Sequence, residues 1–330
     1  MRRSLLFFIF ISGVLSACAQ TQQQPSKQTD PETGPFLIGT GNKAGLYHFL
    51  GQEICRSYGQ AVAVVSSPCD TLVQGNAEAK LRLLENRILD LAIVHSAWAQ
   101  SAANGIGSFT NTGPMNDLRA VISFYPQPLS IVVKRNSGVE ELGQLATARL
   151  VTSSISYNDA TFKILRNLKG WTDSSFASLE KVKSTRTALD SFCNGEANAM
   201  LATYEHPSGI IRKATAECGG RLLPVEFPEK ADEITGNPAL AEASVPAKMY
   251  VGQAASISTF GHRTVLVARS DTPDSVIEAV VTSVLDDLAN LKGKHPAFLE
   301  LNAREMASEG LAIPLHPAAE AIYRERRLLP

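Results

Sequence analysis

A glycine-rich turn between an apolar strand and an amphipathic helix is the first segment whose residue types could bind a ligand. It contains Gly39, Thr40, Gly41 and Asn42 and runs to Gly45. Glycines let the backbone turn sharply and aim N–H groups at an anion beside a helix N-terminus. The spacing matches neither the dinucleotide pattern G-x-G-x-x-G nor a P-loop, which disfavours nucleotide binding. Two interpretations stay open: the turn binds a carboxylate or phosphate of a small ligand, or it is only structural.

Two further loops join a strand to a helix and carry small polar side chains. Asn76 precedes one helix, where it is suited equally to an N-cap and to a ligand contact. Ser153, Ser154 and Ser156 precede another helix, and three hydroxyls suit either a bound polar ligand or a solvated loop. Open α/β sheets bind ligands at the carboxyl ends of their strands, so we expect these loops to converge with Ser96 on one pocket.

No catalytic constellation accompanies these loops. The chain has no G-x-S-x-G elbow and no H-E-x-x-H motif, and no acid and base share a meaningful spacing. His95, His206 and His262 end or follow apolar strands, so each either lines a pocket or is a satisfied core histidine. We therefore expect no enzyme, no cofactor and no metal. An exported α/β hydrolase stays open as an alternative for which no residues are visible.

Four cysteines remain when Cys18 is set aside, namely Cys55, Cys69, Cys193 and Cys218. An even number in an exported chain favours disulfides, and zinc is disfavoured because no C-x-x-C pair is present. Four cysteines allow three pairings. Local spacing favours Cys55–Cys69 and Cys193–Cys218, each of which would close an excursion from a helix to a strand.

The N-terminal segment predicts export. Two arginines precede an apolar run, residues 5–15, which is shorter than the roughly 20 residues that a spanning helix needs. The sequence Leu15-Ser-Ala-Cys18 resembles a bacterial lipobox, in which the cysteine is lipidated and becomes the mature N-terminus. An ordinary signal peptide is the alternative. Residues 1–17 are thus expected to be a signal peptide, and residues 18–34 a lipidated polar tether at the periplasmic face of a bacterial membrane.

The composition describes a folded protein. Of the 330 residues, 44% are hydrophobic and 19% are charged, which is typical of a globular chain. The formal net charge is −1 and no basic block stands out, so nucleic acid is not an expected partner. Past residue 15 no apolar run is long enough to span a bilayer, so membrane attachment would depend on the lipid.

Beyond the N-terminal segment, short apolar strands alternate with amphipathic helices. The predicted strands are residues 36–40, 62–66, 91–95, 120–124, 129–134, 149–154, 199–204 and 264–269. The predicted helices are residues 46–57, 76–88, 159–168 and 317–325, and the second of these has Leu81, Leu84 and Ile88 on one face. A further, long helix is capped by Thr272 and has Pro273 in its first position. Its predicted buried stripe is Val276, Val280, Val284, Leu288 and Leu291. This rhythm predicts an α/β fold of two lobes, each a mainly parallel sheet flanked by helices.

Five segments in order carry a family pattern: residues 38–51, 91–98, 120–128, 245–252 and 315–325. Together they resemble the solute-binding proteins of TRAP transporters, specifically the TAXI family. The resemblance implies a type II periplasmic-binding-protein fold, a clamshell whose lobes are joined by crossing strands. Lobe 1 would comprise residues 35–147 and 255–330, and lobe 2 residues 148–254. The resemblance also implies capture of a small carboxylate or amino acid, such as glutamate or 2-oxoglutarate, and its delivery to a TRAP membrane permease. We expect the protein to be a monomer. The resemblance further supports the local disulfide pairing.

The ligand residues of that family carry over unevenly. Thr40, Gly41 and Tyr47 match its first motif, whereas Asn76, Ala79, His95 and Ala97 replace residues of different chemistry. The predicted ligand-binding set is Thr40, Gly41, Asn42, Tyr47, Asn76, His95, Ser96, Tyr125, Ser153, Ser154, Ser156, Tyr204 and His206, with the three tyrosines as pocket walls. Because the scaffold matches while the pocket departs, an altered ligand is expected. A lipoprotein that kept the fold and serves as a structural or protein-binding module is the alternative.

Overall fold

A sheet of ten described strands runs through both lobes of the computed structural model, which describes residues 35–61, 67–154, 156–225 and 236–330. The strands are β1 (Phe36–Thr40), β2 (Cys69–Val73), β3 (Leu91–His95), β4 (Leu118–Lys134), β5 (Arg149–Ser153), β6 (Ser178–Val182), β7 (Ala199–Thr203), β8 (Gly220–Leu223), β9 (Leu240–Val245) and β10 (Ile257–Arg269).

Helices cover both faces of this sheet. They are α1 (Leu46–Ala61), α2 (Ala77–Glu85), α3 (Ser96–Asn104), α4 (Ser156–Lys169), α5 (Thr185–Asn194), α6 (Gly209–Ala216), α7 (Asp274–Asp286), α8 (Leu288–Lys292), α9 (Ala303–Ser308) and α10 (Pro317–Glu325). A 3-10 turn, Pro296–Phe298, lies between α8 and α9.

The strand order divides the sheet into two lobes. Its path is β2-β1-β3-β10-β4-β7-β5-β6, with β8 paired to β4 and β9 paired to β10. Strands β1, β2 and β3 are mutually parallel in lobe 1, and β5, β6 and β7 are mutually parallel in lobe 2. The antiparallel strands β4 and β10 belong to both lobes. The predicted fold class, two α/β lobes joined by crossing strands, is confirmed.

The crossing strand β4 is longer than the sequence indicated. We predicted two strands, 120–124 and 129–134, and this prediction is wrong because one strand of 17 residues is continuous. Pro126 and Pro128 break the apolar pattern without ending the strand. The β10 ladder reaches Pro128 and the β7 ladder begins only at Leu129, so these prolines lie where β4 is paired on one side. Proline is tolerated in a strand at such edge positions.

Each lobe has an apolar layer on either face of the sheet. In lobe 1, Leu50 and Ile54 of α1 pack with Val280 of α7 on one face, and Leu81 and Leu84 of α2 pack on the other. In lobe 2, the two layers are built around α4 and around α5. Burying one such aliphatic side chain contributes about 1.5–3 kcal/mol, so these layers hold the helices to the strands.

Several predicted elements differ from the structure at their ends. Helix α2 ends at Glu85, so Ile88 lies beyond it and is 51% exposed instead of sharing the buried face. Helix α7 begins at Asp274 with Pro273 as its cap residue, and the Thr272 hydroxyl instead donates to Asp90 O at 3.4 Å. The predicted long helix is divided into α7 and α8, and Val276 is only partly buried. The predicted strand 62–66 lies outside the described residues.

Both predicted disulfides are confirmed. Cys55 of α1 is bonded to Cys69 at the start of β2, with their Cα atoms 5.2 Å apart. Cys193 of α5 is bonded to Cys218, which precedes β8, with a Cα separation of 4.8 Å. Each bond therefore ties a helix to the start of a nearby strand.

The predicted signal peptide, the tether and Cys18 lie outside the described residues. Across the ranges given above, no helix has both the length and the apolar character needed to cross a membrane.

Candidate functional site

Several helices begin shortly after strands of the sheet end. Helices α1, α2, α3 and α4 follow β1, β2, β3 and β5. The first turn of a helix carries unpaired N–H groups and a partial positive charge, which favours anions. The turns before α1 and α2 meet, because a side-chain carbon at Gly75 would come within 2.5 Å of Asn42 Oδ1. The strand ends thus form a region suited to polar or anionic ligands.

A polar network on the crossing strands contains Tyr47. Gln127 of β4 donates through Nε2 to Tyr47 Oη at 2.6 Å and to Thr264 Oγ1 of β10 at 2.9 Å. Tyr47 can lie in the first turn of α1 here because Gly41 leaves room for it: a side-chain carbon at Gly41 would lie 3.1 Å from Tyr47 Cβ. Tyr125 lies close by and is fully buried. Burial raises the pKa of both tyrosine hydroxyls above their ordinary value.

Glu205 of lobe 2 affects these tyrosines electrostatically. This residue follows β7 and its side chain is half-buried. Burial is the main cause that raises the pKa of Tyr47 and Tyr125, and the nearby carboxylate of Glu205 raises both further. Burial also raises the pKa of Glu205 itself. The charge of Glu205 therefore acts on two tyrosines of lobe 1.

Lys80 is a buried lysine beneath this network. It lies on α2, is 1% exposed, and donates to Ile93 O of β3 at 2.5 Å. Its Nζ is 5.1 Å from the centre of the Tyr47 ring. Burial lowers the pKa of Lys80 to about 7, because the charged form loses its hydration. Lobe 1 therefore has a basic group in contact with a candidate ligand residue.

Two histidines pack together at the end of β3. The rings of His95 and His262 are 4.4 Å apart, and both side chains are buried. His262 Nδ1 is 3.0 Å from Ala239 O, and burial lowers the pKa of His262 to about 4. Burial, and then the neighbouring His262, lower the pKa of His95. Both rings are therefore neutral near pH 7 and can act only as neutral donors or acceptors.

His206 bridges parts of lobe 2. Its Nε2 is 2.9 Å from Ser130 Oγ, and its Nδ1 is 2.5 Å from the hydroxyl of Tyr250, which also accepts from Ser208 N. Burial lowers the pKa of His206 to about 4. Tyr204, two residues earlier, is half-buried and its N–H donates to Pro128 O. These bonds hold the segment after β7, including Glu205, against β4.

Several other predicted ligand residues have structural partners inside one lobe. The Thr40 hydroxyl is buried and donates to Leu72 O at 3.2 Å. Asn76 caps α2, its Oδ1 accepting from Ala79 N at 2.9 Å, while the residue itself is exposed. The Ser153 hydroxyl is 3.2 Å from Thr185 Oγ1, and the Ser154 hydroxyl donates to Val182 O. Ser156 begins α4, and its side chain lies outside the described residues.

Ser96 connects the lobes through backbone groups. Its hydroxyl donates to Ala239 O, just before β9, at 2.7 Å and accepts from Arg263 N at 3.1 Å. The side chain is fully buried, so it fixes the start of α3 against β10 and the approach to β9.

A cavity of about 890 Å³ adjoins this network through Tyr125. Its wall comes from the crossing strands, from β9 and from the segment around α9, and it includes Tyr125, Pro126, Pro128, His206, Val225, Glu242, Ala243, Ser244, Met249, Thr259, Phe260, Arg263, Pro296, Glu300, Leu301 and Glu305. This volume is within the range of small-molecule sites. Among the predicted ligand residues whose side chains the structure describes, only Tyr125 and His206 line the cavity. Arg263 is already bound there by Glu309 at 2.7 Å and by Ser123 at 2.9 Å. We therefore place the candidate site at the Tyr47–Gln127–Thr264 network on the crossing strands, on which the charge of Glu205 also acts.

The sequence analysis did not name Gln127 or Thr264, which belong to that network, nor Lys80 and Glu205, which act on it. The sequence does indicate that Lys80 is buried, because it immediately precedes Leu81 and lies four residues before Leu84 on the apolar face of α2. No such indication exists for Glu205, since a charged residue after a strand usually faces water. In the described part of the chain, no group of three His, Cys, Asp or Glu side chains could hold a metal ion.

Comparison with known proteins gives a family and a fold. A model of the NMT1-like family matches residues 38–326, which is most of the chain. A solved structure described as a periplasmic transporter is 12% identical, covers 90% of this chain and 94% of its own, and superposes with a TM-score of 0.50. The periplasmic sulfonate-binding protein SsuA from Methylobacillus flagellatus KT is 11% identical, with 78% of this chain and 69% of that chain covered and a TM-score of 0.50. At these identities the likeness shows the two-lobe periplasmic-binding-protein fold.

Proposed function

The chain belongs to the NMT1-like family, and from this membership and the two-lobe fold we propose that it is an extracytoplasmic solute-binding protein of a transporter. It captures a small carboxylate or amino acid between its lobes and delivers it to a membrane permease. The observation that carries this proposal is the network at the crossing strands, in which Gln127 of β4 and Thr264 of β10 meet Tyr47 of lobe 1.

Closure of the lobes is the proposed mechanism. Residues 35–147 with 255–330 would move against residues 148–254, and β4 and β10 would bend as the hinge. A solute that contacts both lobes only when they are close shifts the population toward the closed form. The permease would then recognise the closed form of the protein, which is the form that holds the solute.

The solute class follows from the groups at the strand ends. The N-termini of α1 and α2 and the Tyr47 hydroxyl, which accepts from Gln127 and keeps its own proton to donate, suit a carboxylate or another small oxyanion. An anion near Lys80 would also favour the charged form of this lysine, whose pKa burial lowers to about 7. The TAXI type of TRAP transporter, a glutamate or 2-oxoglutarate class of solute and a lipid anchor at Cys18 are parts of this proposal that rest on the sequence resemblance.

A second candidate function follows from the side chains that already have partners. Thr40, Asn76 and Ser96 already have partners within the protein, which supports a role for these side chains in holding the fold. A lipoprotein that kept the fold and serves as a structural or protein-binding module is therefore the alternative.

A thermal-shift screen followed by titration calorimetry separates the two. The panel should contain amino acids, dicarboxylates, oxo acids and small sulfonates. We expect at least one compound to bind with one-to-one stoichiometry, and Tyr47→Phe to weaken it. Lys294→Met, an exposed change on another surface, serves as the control. Binding of no compound across the panel would favour the module and reject solute capture.

A further inference from the structure

The ammonium group of Lys80 lies near the carboxyl ends of two lobe 1 strands. Its Nζ donates to Ile93 O at 2.5 Å, two residues before β3 ends. The neighbouring parallel strand β1 ends one residue after Gly39. A side-chain carbon at Gly39 would come within 2.8 Å of Lys80 Cγ, so glycine at this position leaves room for the stem of the lysine. A charged group of α2 is thereby held at the edge of the sheet where the candidate site lies.

This ammonium group has no acidic partner. In the part of the chain that the structure describes, no carboxylate lies within the 4.0 Å that defines an ion pair with Lys80, and its hydrogen-bond acceptor is a neutral backbone carbonyl. The side chain is 1% exposed. Burying an ammonium group without an anion is costly, which is why burial lowers the pKa of Lys80 to about 7. A negative charge that arrives nearby would remove much of that cost.

Tyr47 connects this lysine to the candidate site. Lys80 Nζ is 5.1 Å from the centre of the Tyr47 ring, within the roughly 6 Å over which cations and aromatic rings attract each other. The Tyr47 hydroxyl accepts from Gln127 at 2.6 Å and keeps its own proton to donate to a solute. A positive charge beside the ring makes the hydroxyl a stronger donor, and an anion at the hydroxyl favours the charged lysine. The charge of Lys80 and the binding of an anion at Tyr47 therefore favour each other.

Few other ionisable groups near this lysine can take up a proton in its place. Strand β1 and helix α3 carry none. The first turn of α1 contains Tyr47, whose pKa burial raises, and His48. From β3 and β10 come His95 and His262, whose pKa values burial lowers, and Arg269, which is a permanent cation. His48 is therefore the group from which an experiment has to distinguish the lysine.

We propose that Lys80, held between Ile93 O and the Tyr47 ring, takes up a proton from the solvent when an anionic solute binds, so that the anion and the proton are captured together. This inference rests on the proposed function and adds regulation by pH to the same site. Lys80 acts on the solute through Tyr47 and through its charge, so it is a positioning residue. The lysine returns the proton to the solvent when the solute leaves.

Titration calorimetry in two buffers tests the proposal, because the heat of binding depends on the ionisation enthalpy of the buffer whenever protons are taken up. The buffers are Tris and triethanolamine at pH 8.0, neither of which is an anion. The probes are 2-oxoglutarate, L-malate, pyruvate and methanesulfonate, which carry no group that titrates near this pH. We expect a probe that binds to bring about 0.5–0.9 of a proton with it, since the free lysine is mostly neutral at pH 8.0. Its affinity should fall by up to about tenfold from pH 7.5 to 8.5.

Three variants assign the proton. K80M should bind the same probe on the order of tenfold more weakly at pH 7.5 and without proton uptake. K80R keeps a permanent charge, so it should bind more tightly than K80M, again without uptake and with an affinity that does not change between pH 7.5 and 8.5. H48Q is the matched control and should keep the uptake of the wild type.

The outcomes separate this proposal from solute capture itself. Binding by the wild type without proton uptake would overturn the role of Lys80 while leaving solute capture intact, and this result does not depend on whether any variant folds. Uptake that persists in K80M or K80R, or that disappears in H48Q, would also overturn it, because another group would then hold the proton. Binding of no probe would overturn capture of small anions and the proposal with it.

Discussion

Replacing Lys80 by Met tests whether burial of this lysine makes the stability of the protein depend on pH. Burial lowers the pKa of this lysine from 10.5 to about 7, so between those pH values the folded protein holds about one proton fewer than the unfolded chain. The free energy of unfolding should then rise by about 1.4 kcal/mol for each pH unit in that interval. The sign follows from the lowered pKa: the burial penalty is complete below pH 7 and is relieved as the pH rises toward 10.5.

Between pH 7.0 and 8.5 the wild type should gain about 1.5 kcal/mol of stability from this group alone, allowing for partial protonation near pH 7. Lys80→Met keeps the length of the side chain and removes the ionisable group, so its stability should lack this increment. Lys294→Met is the control, because Lys294 is exposed and its replacement should leave the wild-type slope in place.

The measurement is urea unfolding at several pH values, followed by circular dichroism with the disulfides intact. The difference in unfolding free energy between wild type and Lys80→Met should change with pH by the amount given above. Parallel pH dependence of the two proteins would refute the argument, since Lys80 would then titrate alike in the folded and unfolded states.

Four further outcomes are expected. Removing the Cys55–Cys69 bond should lower the free energy of unfolding by about 3 kcal/mol, because the bond restricts the loop between these cysteines in the unfolded chain. Unfolding of the Cys55→Ser/Cys69→Ser variant checks this, and a midpoint equal to that of the wild type would contradict it. Asn76→Ala should lower stability by about 1 kcal/mol through the lost cap of α2, as chemical denaturation would show, and an unchanged value would argue against the cap. The free energy of unfolding should fall as the pH drops from 6.5 to about 4, because in this interval His206 is protonated only in the unfolded chain. The variant His206→Gln should reduce this loss by about 1.4 kcal/mol per pH unit, as acid unfolding curves would reveal. Cys18→Ala should abolish labelling by radioactive palmitate, and a label that persists would reject the lipobox.

The sequence predicted the strands that are buried on both faces and missed those at the margins of the sheet. Strands β1 and β3 are short apolar runs, and their predicted bounds agree with the structure. Strand β6 has the sequence SLEKV, whose polar residues resemble a loop until parallel pairing with β5 is known. Such pairing joins segments distant in the chain, and no local pattern indicates it.

Candidate site residues divide in the same way. Tyr47 and His206 lie at ends of elements that the sequence made visible, so they were named in advance. Glu205 and Gln127 contribute through tertiary burial, which raises the pKa of one and joins the other to Tyr47 across the crossing strands. Asn76 illustrates the opposite case, since one side chain fitted both a cap and a ligand contact, and only the structure shows that it is the cap. Local sequence patterns therefore identify loops that could bind a ligand, whereas the hydrogen-bond partners of the side chains in each loop depend on the fold.

Small-angle X-ray scattering of the purified protein, alone and saturated with the best compound of the calorimetric panel, tests solute capture by closure most directly. The account predicts a smaller radius of gyration in the saturated protein, because a solute held by groups of both lobes draws them together around β4 and β10. Identical scattering curves with and without saturating solute would contradict it, since the solute would then bind without changing the separation of the lobes.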